Sequence, residues 1–195
     1  MKKICVFCGS AQGNNPAYKQ AAIALGQVLS ENGVALVYGG ARIGLMGVIA
    51  DTVMQNGGEV IGVIPKDLVD REVAHHGLTK LHVVASMHER KALMAELADG
   101  FVALPGGFGT WEEIIEVLTW AQLGLHQKPC ALLNTADYYQ PLLNMVDHGL
   151  AEGFLTQIHK KLLLSSKDPG DLLRQMSAYK CPSDGSLFAH LKDKI

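Results

Sequence analysis

Three glycine-rich turns carry most of the chemistry that residue type and spacing can suggest: Cys8-Gly9-Ser10-Ala11, Gly39-Gly40-Ala41-Arg42-Ile43-Gly44-Leu45-Met46-Gly47, and Pro105-Gly106-Gly107-Phe108-Gly109-Thr110. Each follows a short apolar run and precedes a helical stretch. Glycine lets the backbone approach a ligand closely, and a helix start offers unpaired N–H groups and partial positive charge to a phosphate. One such turn is as well explained by a tight bend. Three on the same edge of one sheet point to an anion or nucleotide site. The G-x-G-x-x-G fingerprint is not met, because the position that would complete it after Gly107 and Gly109 is Glu112; G-K-S/T is absent as well. A dinucleotide dehydrogenase and a P-loop kinase both lose ground to a protein that takes a nucleoside monophosphate.

The charged residues near these turns divide into caps and candidates. Ser86-Met87-His88-Glu89 and Thr110-Trp111-Glu112-Glu113 both match the capping box, in which a hydroxyl at the N-cap and a glutamate three residues on satisfy each other's backbone donors. Glu89 is read as a cap. Glu113 stays open between cap and catalyst, since a glutamate beside a bound nucleotide can activate water or stabilise an oxocarbenium-like sugar. Its neighbours Glu112 and Glu116 would raise its pKa. Arg90 and Lys91 sit in the first turn of a helix, where a cation opposes the helix dipole at a cost of about 0.3–1 kcal/mol. Either both extend into solvent, or at least one of them meets an anionic ligand or takes part in the chemistry. His75, His76 and His88 have no metal-ligand spacing, and no G-x-S-x-G elbow supports serine hydrolysis. Cys5 and Cys8 spell C-x-x-C, but in a strand residues three apart face opposite ways, so two buried thiols are expected.

The elements that must position these groups alternate. Strands are predicted at 3–8, 34–38, 60–64, 81–85, 101–104, 130–133 and 162–164. Helices are predicted from Asn15-Pro16 to about 32, then over 43–55, 87–98, 111–123 and 139–148, with a last one capped by Asp168-Pro169. Pro65 opens a long connection to about Thr79. Nearly continuous apolar strands separated by helices predict an α/β fold: a doubly wound, Rossmann-like parallel sheet flanked by helices on both faces, with ligands at the carboxyl ends of the strands. The helix over 111–123 is apolar around much of its circumference (Ile114, Ile115, Val117, Leu118, Trp120, Leu123), which suggests a second packing partner and hence a homodimer.

Composition sets the frame. A chain of 195 residues with 48% hydrophobic and 18% charged residues fits one domain, 1–195, with its own core rather than a disordered segment. A net charge of -2 provides no basic field for a nucleic acid. No apolar run is long enough for a membrane span, the short apolar start is a strand rather than a signal peptide, and four cysteines make no disulfide framework. A cytoplasmic protein is expected.

Pro105-Gly106-Gly107-Phe108-Gly109-Thr110-Trp111-Glu112-Glu113 matches P-G-G-x-G-T-x-x-E. Together with Cys8-Gly9-Ser10, Gly39-Gly40, Gly44-Leu45-Met46-Gly47 and Met87-His88-Glu89-Arg90-Lys91-Ala92, it resembles the LOG (Lonely Guy) family over nearly the whole chain. These are cytokinin riboside 5′-monophosphate phosphoribohydrolases, long mislabelled lysine decarboxylases. The resemblance implies hydrolysis of the N-glycosidic bond of AMP or an N6-substituted AMP, without metal or cofactor, by a homodimer. It implies that Arg90 and Glu113 are catalytic and that the turn of Gly106, Gly107, Gly109 and Thr110 grips the phosphate. Ser10, Gly39, Gly40 and Arg42 would lie near the same pocket, and Glu72, Met87, Lys91 and Thr119 at ligand-side positions. The rival readings are a nucleotide or molybdenum-cofactor carrier on the same fold and the decarboxylase of the old label. The decarboxylase needs a Schiff-base lysine with a supporting site, which nothing around Lys66, Lys80 or Lys91 suggests.

Overall fold

The computed structural model describes residues 1–69 and 74–182. Its elements run β1 (Lys3–Phe7), α1 (Pro16–Glu31), β2 (Ala35–Tyr38), α2 (Gly44–Gln55), β3 (Val60–Pro65), a single turn α3 (Lys66–Val69), β4 (Lys80–Val84), α4 (Met87–Leu97), β5 (Gly100–Ala103), α5 (Phe108–Gln122), β6 (Cys130–Leu133), a 3₁₀ turn (Thr135–Asp137), α6 (Gln140–Ala151), α7 (Gln157–Lys160), β7 (Leu163–Ser166) and α8 (Pro169–Ala178). The seven strands form one sheet in the order β4-β3-β2-β1-β5-β6-β7, and every pairing is parallel. The doubly wound sheet read from the sequence is therefore present.

Strands β1, β2, β3, β5 and β6 alternate their side chains between two cores. Ile4, Val6, Leu36, Tyr38 and Val102 pack with α1, α2 and α8 on one face. Cys5, Phe7, Val37, Val63 and Phe101 pack with α4, α5 and the start of α6 on the other. Cys5 and Cys8 accordingly fall in different cores, and burial raises both thiols well above their ordinary pKa. Each large aliphatic side chain taken fully out of water contributes roughly 1.5–3 kcal/mol, so the apolar strands are the main stabilising element of this fold.

The helix signals act as read at three starts. The Asn15 side chain accepts from the Ala17 amide before Pro16 opens α1, Asp168 caps α8 through the Asp171 amide, and Ser86 caps α4 through the Glu89 amide. Glu89 completes that cap one residue further back than a capping box does, accepting from the Ala85 N–H at 2.8 Å.

The chain winds outward from β1 to β4, returns to β5 beside β1, and then winds the other way. The crevice at this reversal, outside the carboxyl ends of β1 and β5, is where an open α/β sheet holds its ligand. The Gly9 amide donates to the Pro105 carbonyl (3.1 Å) and the Leu45 amide to the Gly9 carbonyl (3.0 Å), so all three glycine turns meet there. No helix among the described residues is long and apolar enough to cross a membrane.

Candidate functional site

The third turn differs from its expected form. Helix α5 begins at Phe108 with Gly107 as the N-cap residue and no side-chain cap, three residues before the predicted start at 111. Thr110 is therefore not an N-cap. It is buried (4% exposed) inside the first turn, and a Cβ placed on Gly106 would stand 2.1 Å from its hydroxyl oxygen. With Thr110 turned onto Gly106, Glu113 has no capping box to close. Glu113 lies on the inward face of α5 with Thr110, Ile114, Val117 and Ala121.

There Glu113 meets Arg90. The guanidinium Nη1 donates to Glu113 Oε1 at 2.7 Å, and the two side chains are only 12% and 9% exposed. Arg90 leaves the first turn of α4 and reaches across the strand ends. Its Nε donates to the Val63 carbonyl at the end of β3 (3.3 Å), and Nη1 also lies 3.3 Å from Met87 Sδ. Burial raises the Glu113 pKa, and the Arg90 charge and hydrogen bond oppose that rise without cancelling it. The pair is thus a guarded carboxylate held by one cation under the carboxyl ends of the strands.

Lys91 also turns inward rather than to solvent. Its Nζ lies 2.5 Å from Glu112 Oε1 and 3.0 Å from Glu116 Oε1, both on α5. The hydrogen bond that Lys91 donates to Glu112 raises the ammonium pKa most. Both cations of the α4 first turn are therefore committed to α5 carboxylates, and together they lock α4 to α5.

The glycines of the site are explained by different neighbours. A Cβ on Gly39 would stand 2.2 Å from Arg90 Nη2, so the space a side chain would use is occupied by the guanidinium. Gly40 has φ +75° and its carbonyl accepts from the His75 amide, tying the second turn to the segment after residue 73. A Cβ on Gly107 or Gly109 would meet nothing within 4 Å, and Gly107 has an ordinary extended φ of -95°. Nothing among the described residues demands glycine at these two positions. Beside them, the amides of residues 107 to 110 have no acceptor among the described residues, as a helix start leaves them. An uncapped, positively polarised helix start flanked by exposed glycines fits an anion.

A cavity of about 260 Å³ lies at the reversal point, lined in part by Ser10, Leu45, Gly106 and Gly107. Tyr18 and Tyr138 also line it, and the sequence reading placed neither at the site. The only signal for Tyr138 was its position a few residues beyond a strand end, which many loop tyrosines share.

The other expected residues scatter. Arg42 is exposed in the loop before α2, and Met87 is half-exposed while touching Arg90. Thr119 is exposed and donates to the Ile115 carbonyl; six residues beyond Glu113, it lies about 120° away around α5. Glu72 lies outside the described residues. Lys66 and Lys80 are exposed.

The family model described as "Possible lysine decarboxylase" matches residues 46–176. The cytokinin riboside 5′-monophosphate phosphoribohydrolase of Rhodococcoides fascians is 52% identical over 168 residues, covering 86% of this chain and 85% of that protein. Cytokinin riboside 5′-monophosphate phosphoribohydrolase LOG7 of Arabidopsis thaliana is 48% identical over 179 residues, covering 92% and 82%. The chain belongs to the LOG family.

More distant structures share the fold of this LOG-family chain. The molybdenum cofactor carrier protein of Chlamydomonas reinhardtii superposes with a TM-score of 0.68 at 22% identity, over 91% of this chain and 99% of that one. The molybdenum cofactor binding protein of Rippkaea orientalis superposes with a TM-score of 0.69 at 19% identity, over 91% and 97%. At that identity the likeness concerns the fold alone.

The Gly39 contact yields a first expected outcome. A methyl group at residue 39 displaces the end of a flexible side chain and no backbone, so Gly39→Ala should still fold, with a Tm lowered by no more than the roughly 6–12 °C that loss of the Arg90–Glu113 pair costs. It should nevertheless lower turnover by at least about 10-fold, because Arg90 leaves Glu113. Unchanged turnover would show that the Arg90 position does not matter to the reaction.

Proposed function

We propose that this protein is a phosphoribohydrolase acting on AMP or an N6-substituted AMP, releasing the free base and ribose 5-phosphate. The observation that carries this reading is the buried Arg90–Glu113 pair, with Glu113 on the helix whose start at Gly107 has no side-chain cap. The names of the 48–52% identical relatives support the same substrate class.

In this reading the amides of residues 107 to 110 hold the 5′-phosphate, and Ser10 contributes from the neighbouring turn. The phosphate fixes the ribose with C1′ toward Glu113. As the N-glycosidic bond breaks, its electron pair passes to the base nitrogen, and positive charge builds on the ribosyl ring. The Glu113 carboxylate faces that charge and orients the water whose oxygen bonds to C1′. The water loses one proton and the departing base gains one, so the sum is one water consumed per bond cleaved. Arg90 opposes the rise that burial imposes on the Glu113 pKa and holds its carboxylate in place. Met87 stands beside Arg90 on the ligand side of α4.

The same proposal includes a homodimer. Phe108, Trp111, Ile115 and Leu123 form an exposed apolar stripe along α5, and Met87 at the start of α4 is exposed too. A stripe of that extent marks an interaction face, and Thr119 lies on it, so a second subunit would bring Thr119 into a composite site.

Incubation with AMP and with isopentenyl-AMP, followed by chromatography, tests the activity. Free base and ribose 5-phosphate are expected in equal amounts, and light scattering at micromolar concentration should give twice the chain mass. Tight nucleotide binding without base release would make the protein a carrier, and a clean monomer would remove the composite site.

A further inference from the structure

The peptide unit between Gly106 and Gly107 has a glycine on each side, so the chain itself holds it loosely. In a trans peptide the carbonyl oxygen and the following N–H point in opposite directions. Whatever fixes the Gly106 oxygen therefore aims the Gly107 amide. That oxygen accepts a hydrogen bond from the Tyr138 hydroxyl, 32 residues further along the chain. The preceding carbonyl, of Pro105, is held in the same way by the Gly9 amide.

The segment that delivers Tyr138 is strained and over-determined. Ala136 and Asp137 both have positive φ (50° and 59°), the two non-glycine residues with positive φ among those described. Such a backbone persists only where its surroundings hold it. Here the Asn134 side chain accepts from the Tyr139 amide (2.7 Å), the Asn134 amide donates to the Ser166 carbonyl (2.8 Å), and the Tyr139 hydroxyl donates to the Leu104 carbonyl (2.7 Å). The Tyr138 ring packs edge-on against Tyr18, 5.6 Å between centroids, across the cavity at the reversal point. Tyr18 in turn fills the space beside Gly13, where a Cβ would stand 2.8 Å from the ring.

We propose that Tyr138 is the positioning residue of the anion cradle: its hydroxyl sets the Gly106–Gly107 peptide plane and so aims the Gly107 N–H at the substrate phosphate. This rests on the phosphoribohydrolase reading above and adds to it a residue from outside the glycine motif. Tyr139, one residue on, donates to the Leu104 carbonyl within the core and serves as the structural control.

Tyr138→Phe and Tyr139→Phe are compared with the parent by steady-state kinetics on AMP, by calorimetry with ribose 5-phosphate, and by thermal unfolding. Because the phosphate is held alike in ground and transition states, loss of its positioning raises KM and spares kcat. Tyr138→Phe should raise KM and weaken ribose 5-phosphate binding about 10-fold, with kcat within about twofold and Tm within a few degrees. Tyr139→Phe should lower Tm and leave KM unchanged. A Tyr138→Phe protein with parental KM and ribose 5-phosphate affinity would overturn the inference, as would a loss of Tm with no change in KM. A parent protein that neither cleaves AMP nor binds ribose 5-phosphate would overturn the functional reading itself, before any variant is compared.

Discussion

Glu113→Gln is expected to reduce base release from AMP by at least about 100-fold, the usual loss when an acid–base group is removed, while Tm stays within a few degrees of the parent. The two halves of this result follow from one geometry. The side chain is 9% exposed and closes no capping box, so glutamine removes a charge without disturbing a helix end. It can still accept a hydrogen bond from Arg90. The pH dependence has a definite sign. Burial raises the folded-state pKa of Glu113 above its ordinary value of 4.5. The group therefore favours folding most when it is protonated, below its unfolded pKa, and that contribution is lost as pH rises through the folded pKa. The urea midpoint of Glu113→Gln, relative to the parent, should accordingly rise between about pH 4 and pH 8. Retained activity would remove Glu113 from the mechanism, and a relative midpoint that falls with pH would mean that Arg90 overcompensates for burial.

Arg90→Met should abolish activity to a similar extent and, unlike Glu113→Gln, destabilise the protein. Removing one partner of a buried ion pair leaves the other uncompensated, at a cost on the order of 3 kcal/mol. In a chain of this size that corresponds to roughly 6–12 °C in Tm. The loss should be largest near pH 8 and smaller near pH 5, where Glu113 escapes by taking a proton. The double variant Arg90→Met/Glu113→Gln should regain most of the lost stability and none of the activity. This cycle separates the pair's contribution to folding from its contribution to catalysis. Additive stability losses would show that the two side chains do not depend on each other, contrary to the 2.7 Å contact.

One helix start could not be decided from the sequence. Thr110 and Glu113 have the spacing of a capping box, and nothing local distinguishes that pattern from a helix that starts three residues earlier. The distinction lies in what Thr110 packs against. Gly106 leaves room for its hydroxyl, and the β5 end brings the two together. Ser86 and Glu89 have the same spacing, and there Ser86 does cap α4. Local pattern gave equal weight to both, and tertiary packing selected one.

For most of the fold, the sequence alone was sufficient. Strands buried on both faces must be apolar at nearly every position, and the caps at Asn15, Ser86 and Asp168 are satisfied within their own first turns, so both leave marks on contiguous residues. The glycine turns were legible for the same reason, as was the family motif. Only the tertiary structure decided where the side chains go. Arg90 and Glu113 are 23 residues apart on different helices, and their meeting depends on β1, β2, β3 and β5 standing side by side with their ends level. Lys91 pairs with Glu112 and Glu116 through the packing of α4 on α5, a contact that no spacing in the sequence announces. Tyr138 reaches Gly106 because the crossover through α5 places the β6 end next to that of β5. Sequence spacing records local geometry, whereas contacts across strand ends depend on sheet order, and no short stretch of residues encodes that order.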